Sequence, residues 1–344
     1  MRIKTVVRAS IFSLTMLAMI VSVVSAEKPG PGNSTGTGRV FFPNPVASLQ
    51  DQSLTDQKDA DYAALQPAYV MVTLTNLDGS GYLNGDWANI TSETGNPAYS
   101  ATNTFLYNRH DDEFEQVMAY YWVTESQKYI QNLGFGSTLR PINMESQDIR
   151  INQWGVDNSY SWDKHDVLRF GKGGVDDAED AEVILHEYGH AIQDSQATPF
   201  GNIGFSLEAG AIGEGFGDYW EVTVSDVVAP TSDPACVADW DSVSYTRNEP
   251  HCLRRVDLDL HYPEDLNGRI HHDGQIWSRA LWDIRGVLGH TVADTIILEA
   301  QFDFASDTSM YAAAQDTVDA TERLYGKNTA KKVLAAFQDR EILS

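Results

Sequence analysis

HEYGHAIQD, residues His186 to Asp194, and GAIGEGFGD, residues Gly210 to Asp218, are the stretches whose reading decides the fold. The first lies inside a helical pattern, GGVDDAEDAEVILHEYGHAIQD, with Asp176 or Asp177 as its cap and acids through its first turn. Residues at i and i+4 share a helix face, so His186 and His190 can reach one ion while Glu187 projects beside it. Imidazole nitrogen is a good zinc donor, and a catalytic zinc site needs three protein ligands and a water. Candidates for the third ligand lie in the second stretch, where Glu214 and Asp218 are again four residues apart. One can bind metal while the other hydrogen-bonds a liganding histidine. A metzincin arrangement is excluded, because Gln193 and Gln196 stand where it requires glycine and histidine. Gly210, Gly213, Gly215 and Gly217 would each cost a helix about 1 kcal/mol relative to alanine, which points to close backbone packing near the metal helix.

Outward from this pair, a helix before it is marked by Phe114, Val117, Met118, Tyr121, Trp122, Tyr129, Ile130 and Leu133, and Gly134 stops it. Three apolar stripes follow the pair, one through Trp277 and Leu288, one through Met310 and Tyr325, one through Val333 and Phe337. They read as core-facing helix sides. Residues 39–100 carry strand and turn signals instead, with VFF, AYVMVTLTNL and the turn-rich DGSGYLNGDW. Residues 27–38 are a Gly/Pro/Ser/Thr stretch expected to be a flexible linker. Ahead of it, residues 1–26 combine Arg2, Lys4 and Arg8 with a short apolar run and Val24-Ser25-Ala26, which is the pattern of a cleaved signal peptide. Export would make disulfide formation the default for the two cysteines, Cys236 and Cys252. The formal charge of -25 becomes about -28 once the three cations of the signal are removed. Such a surface disfavours nucleic acid and anionic membranes, and no later segment suits membrane insertion.

The two stretches together resemble the thermolysin and fungalysin group of zinc endopeptidases, the gluzincins, over roughly residues 103 to 344. The resemblance implies an α+β fold, a thermolysin-like two-lobed zincin with a mainly helical C-terminal lobe. The β-rich segment 39–100 would precede a catalytic N-terminal lobe, 101–225, and a helical C-terminal lobe, 226–344. It further implies His186, His190 and Glu214 as zinc ligands, Glu187 as general base and Asp218 as the carboxylate behind a ligand. His271 in HHDGQIW matches the histidine that stabilises the oxyanion, and Asp265 the aspartate that orients it. For His272 a solvent-facing place is expected, and for Asp273 a turn or cap. Asn158 matches the asparagine that holds the substrate backbone along an edge strand. Arg254 matches a substrate-carbonyl arginine, with Arg255 an equal candidate. Asp194 also matches a family aspartate. Phe205 stands where thermolysin has a tyrosine, which places more of the oxyanion's stabilisation on the histidine. Calcium is possible, but Asp176, Asp177 and Glu179 serve equally as helix-start anions, so no calcium site is assigned.

The expectation is therefore a secreted zinc metalloendopeptidase, extracellular or periplasmic, acting as a monomer on protein or peptide substrates. By the resemblance it would prefer an apolar residue after the scissile bond. A non-catalytic, metal-stabilised binding module and a zinc hydrolase with a non-protein substrate are the alternatives.

Overall fold

In a computed structural model, residues 34–90, 95–196 and 206–344 are described. The expected signal peptide, residues 27–33 of the expected linker and Phe205 lie outside the described residues. Strand β1 (Ser34–Phe41) runs antiparallel to β2 (Tyr69–Leu77), and short helix α1 (Pro45–Leu49) lies between them in sequence. The expectation of a structureless 27–38 is thus corrected for its last five residues. Their glycines read as a linker, yet a Cβ at Gly36 would stand 2.4 Å from the carbonyl oxygen of Asn103, so the strand needs glycine there to pack.

A four-stranded sheet follows, in the order β3 (Ala88–Ile90), β5 (Gln147–Arg150), β7 (Val167–Arg169), β6 (Tyr160–Trp162). Its first three strands are parallel, and β6 closes the order as an antiparallel edge. Strand β4 (Thr104–Phe105) pairs in parallel with β1, so the first sheet crosses the expected boundary at residue 100. Both sheets pack on α2 (Glu113–Asn132), whose Phe114, Val117, Trp122 and Ile130 are fully buried.

Helix α3 (Ala181–Gln196) carries the first motif and α4 (Leu207–Val228) the second. Neither Asp176 nor Asp177 caps α3. A 3₁₀ turn, Asp177–Glu179, intervenes, and the Asp180 carboxylate accepts from the Glu182 N–H at 3.0 Å instead. Ser206 caps α4 by accepting from the Ala209 N–H, and this helix runs through the expected lobe boundary at 225. A small ribbon of β8 (Cys236–Val237) and β9 (Arg254–Arg255) follows. Then come α5 (Ile270–Leu288), α6 (His290–Gln301), α7 (Met310–Tyr325) and α8 (Lys327–Asp339), which bury most of the three apolar stripes, although Tyr311 and Tyr325 of α7 stay exposed. The result is an α+β fold with its β-rich part ahead of a mainly helical C-terminal region, and α3 lying against the four-stranded sheet on one side and α4 on the other. Among the described residues no helix is long and apolar enough to cross a membrane.

Candidate metal centre and active site

The i, i+4 geometry of α3 turns the rings of His186 and His190 to one side, with centroids 5.1 Å apart. Helix α4 brings Glu214 to them: its Oε2 lies 3.3 Å from His186 Nε2 and 4.0 Å from His190 Nε2. The crossing is close because α4 offers no side chain at residue 217. A Cβ there would stand 2.7 Å from Cε1 of His186, inside the space the imidazole fills.

Behind His186, Nδ1 lies 3.1 Å from Asp218 Oδ1 and 3.3 Å from Glu221 Oε2. Glu221 is a participant the sequence reading did not single out. It follows Glu214 by seven positions, two helical turns along one face, which was the available signal. Asp218 in turn takes a two-point pair from Arg254, Nε to Oδ2 at 2.8 Å and Nη2 to Oδ1 at 2.6 Å. Strand β9 holds Arg254 in place through its ladder with β8, and the Cys236–Cys252 disulfide ties the same ribbon. Arg255 faces away, toward Asp233 and Asp257. Of the two arginines, Arg254 is the one that lines the cavity beside His186.

The HHDG segment forms the first turn of α5. His271 Nε2 reaches Glu214 Oε2 at 3.3 Å, whereas His272 Nδ1 turns to Asp273 at 3.2 Å. Asp273 accepts from the backbone N–H groups of Asn267 and Gly268, a turn-stabilising role. Asp265 does not take the place the sequence reading gave it. Its carboxylate accepts from the His261 N–H at 2.8 Å, a contact within its own turn, and His271 is directed at Glu214. Asn158 lines the cavity at the start of the segment leading into edge strand β6. Asp194 sits at the far end of α3, where burial, and then Asp163, push its carboxyl up to about 9.

Glu187, next to His186 on α3, is buried, and Ser161 of β6 donates a backbone hydrogen bond to it. Burial raises its carboxyl to about 7 against the pull of His186. Burial likewise lowers His190 to about 4, leaving its ring neutral as a metal ligand must be. For Glu214 burial acts upward, but His186, His190 and His271 outweigh it and hold the carboxyl at about 2. Around His186 burial favours the neutral ring, yet Asp218, Glu214 and Glu221 raise it well above the ordinary histidine value. Of the three carboxyl groups about this imidazole, Asp218 is answered by Arg254, and burial raises Glu221 to about 8. Glu214 Oε2 is itself buried with no hydrogen-bond partner. An orphaned oxygen beside two imidazole nitrogens, all mutually within 4.8 Å, is the donor set of a three-ligand zinc site. The residues fit the metal. Beside them opens a cavity of about 220 Å³, bordered by Glu187, Arg254 and His271.

The family model of the fungalysin metallopeptidases matches residues 72–335. The chain belongs to the fungalysin metallopeptidase family. As a fungalysin-family protein it is a zinc metalloprotease, a hydrolase of peptide bonds. Among solved structures, the precursor of protealysin, a metalloproteinase from Serratia proteamaculans, is similar in fold. Its TM-score is 0.58 at 18% sequence identity, covering 74% of this chain and 85% of that one. The thermolysin-like fold class expected from the sequence is the one found. None of the curated proteins compared matches the chain.

Proposed function

We propose that this fungalysin-family chain is a secreted endopeptidase in which His186, His190 and Glu214 hold zinc and Glu187 is the general base. The observation that carries the reading is the position of Glu187. It follows His186 on α3 and borders the cavity with it, yet stands outside the ligand set. A site serving only stability would have no use for a carboxylate there. Zinc, when bound, supplies a Lewis acid for the attacking water and the scissile carbonyl. Glu187 takes the water's proton and later delivers it to the leaving amine. His271 donates to the oxyanion as charge develops on the carbonyl oxygen. Asp218 fixes the tautomer and tilt of His186, and Arg254, already held by Asp218, offers its remaining donor capacity to a substrate carbonyl. Asn158 aligns the substrate backbone with the β6 edge. The signal-like residues 1–26 support export, and the acidic surface supports a soluble product.

The test pairs zinc analysis with internal cleavage of casein by the wild type and by Glu187→Gln. One zinc per chain in both proteins is expected, with kcat lowered by roughly a thousandfold in the variant. A zinc-loaded wild type that releases only terminal residues would remove the endopeptidase reading, and a fully active variant would remove the base.

A further inference from the structure

The cavity beside Glu187 is not lined as an apolar substrate side chain would require. Its walls near the metal centre carry Val183 and Leu253, but its lining also includes Asp177 and Asp241. Asp177 is 2% exposed and Asp241 4% exposed, and one carboxylate oxygen of each, Oδ1, is buried with no hydrogen-bond partner. Asp157 joins them, the three carboxylates offering oxygens within 4.8 Å of one another. Asp157 is partly satisfied by the Tyr245 hydroxyl at 2.7 Å, and the second oxygen of Asp177 by the Ser159 hydroxyl. Arg254 is the permanent cation among the described lining residues, and Asp218 engages it from the other side. Burial pushes Asp177 up to about 8, with Asp157 adding to the shift, and burial and Asp177 raise Asp241 well above the usual carboxylate range. Buried acids crowded in this way lack a cation, since an unpaired buried charge is costly.

We propose that this cavity is the subsite for a lysine or arginine side chain of the substrate, on a residue adjoining the scissile bond. The inference rests on the peptidase reading above and departs from the apolar preference that the family resemblance implies. A long cationic side chain places its methylenes along Val183 and Leu253 and its charged head among Asp177, Asp241 and Asp157. The unpartnered oxygens then gain charge-assisted hydrogen bonds. A bound calcium ion is the weaker occupant. It takes six to eight oxygen ligands, whereas this cavity is lined also by Val183, Ala238 and Leu253 and is far larger than a single ion.

The experiment uses the zinc-loaded protein and a peptide series built on one casein cleavage site. The residues on either side of the cleaved bond are varied through Lys, Arg, Leu and Asp. At one of these two positions Lys or Arg is expected to exceed Leu in kcat/KM by roughly tenfold or more, with Asp poorest. Asp241→Asn and Asp177→Asn should each reduce the Lys-to-Leu ratio by about the same factor. The ratio is internal to each variant and does not depend on how much of it folds. A second arm measures binding of the same peptides to zinc-loaded Glu187→Gln by fluorescence anisotropy. A lysine preference in binding without cleavage by the wild type would keep the subsite and remove the peptidase reading. Efficient cleavage with Leu preferred at both positions would overturn the subsite and leave the peptidase reading standing. So would a ratio unmoved in both aspartate variants. Calcium bound at the cluster and lost in Asp241→Asn, without any lysine preference, would overturn it in favour of an ion.

Discussion

Two groups containing buried acids meet α3 one helical turn apart, at Glu182 and at His186, and they are built in opposite ways. At the helix start, Asp180, Glu182 and Asp239 bring oxygens within 4.8 Å of one another. These oxygens are extensively satisfied by the protein. Asp180 accepts from the backbone N–H groups of Glu182, Trp240 and Asp241 and from Asn44, while Glu182 accepts from the Ala238 N–H and the Ser225 hydroxyl. A turn further on, Glu214 Oε2 has no such donor and is met by imidazole nitrogens. The first group is a hydrogen-bonded joint between α3 and the β8 region. The second pairs Asp218 with Arg254 but leaves Glu214 Oε2 without a hydrogen-bond donor. Proximity of acids alone therefore says little about metal binding, and the supply of donors around them says more.

The comparison can be broken most sharply at Glu214. Glu214→Ala should abolish stoichiometric zinc, measured by atomic absorption after dialysis, and with it all detectable peptidase activity. Zinc retained at one per chain would show that the ligand set lies elsewhere. The next largest effect is expected at His271→Ala, which should lower kcat by about a hundredfold at unchanged zinc content. His272→Ala, whose ring faces Asp273, should stay within about twofold of the wild type; equal losses would contradict the separation of the two histidines. Asp218→Asn keeps the volume but weakens the support of His186, and a loss of roughly 10- to 100-fold in zinc affinity is expected by competition with a chelator.

The smallest effect concerns the first group and depends on pH. Burial, and next Asp180, raise Asp239 to about 8, well above its unfolded value. A carboxyl raised on folding holds its proton more tightly in the native state. Its contribution to stability is therefore full below about pH 4 and is lost as pH rises toward 8. Asp239→Asn should flatten the fall of stability between pH 6 and 8 by on the order of 1 kcal/mol, read from urea unfolding of the zinc-loaded protein. An unchanged slope would free Asp239 of that role. A calcium-dependent rise in Tm that the variant removes would erase the contrast, placing an ion in both groups.

Much of the metal centre was legible because its parts are local in sequence. His186, Glu187 and His190 occupy one turn of α3, and Glu214 and Asp218 one turn of α4, so helical spacing alone sets their directions. The family resemblance then ranked them. What failed depends on contacts that spacing does not encode. Asp265 was assigned to His271, but a turn returned its carboxylate to the backbone of His261. Residues 34–38 read as a linker by composition, although their glycines serve a packed strand. Asp177 read as a helix-start anion, and the 3₁₀ turn before α3 instead leaves it lining the cavity with Asp241, far away in sequence.

The vacancy at Gly217 bears on how the molecule is assembled. Because the His186 ring occupies the place of a side chain on α4, the imidazole is a piece of the interface between two helices as well as a proposed ligand. With the proposed ligand set, zinc binding and the seating of α4 on α3 would reinforce each other. On that proposal a half-docked pair would not present Glu214 to the histidines. Free zinc should set the protein's lifetime among other proteases as well as its turnover, since a ligand bound only by the seated state adds to its stability as concentration rises.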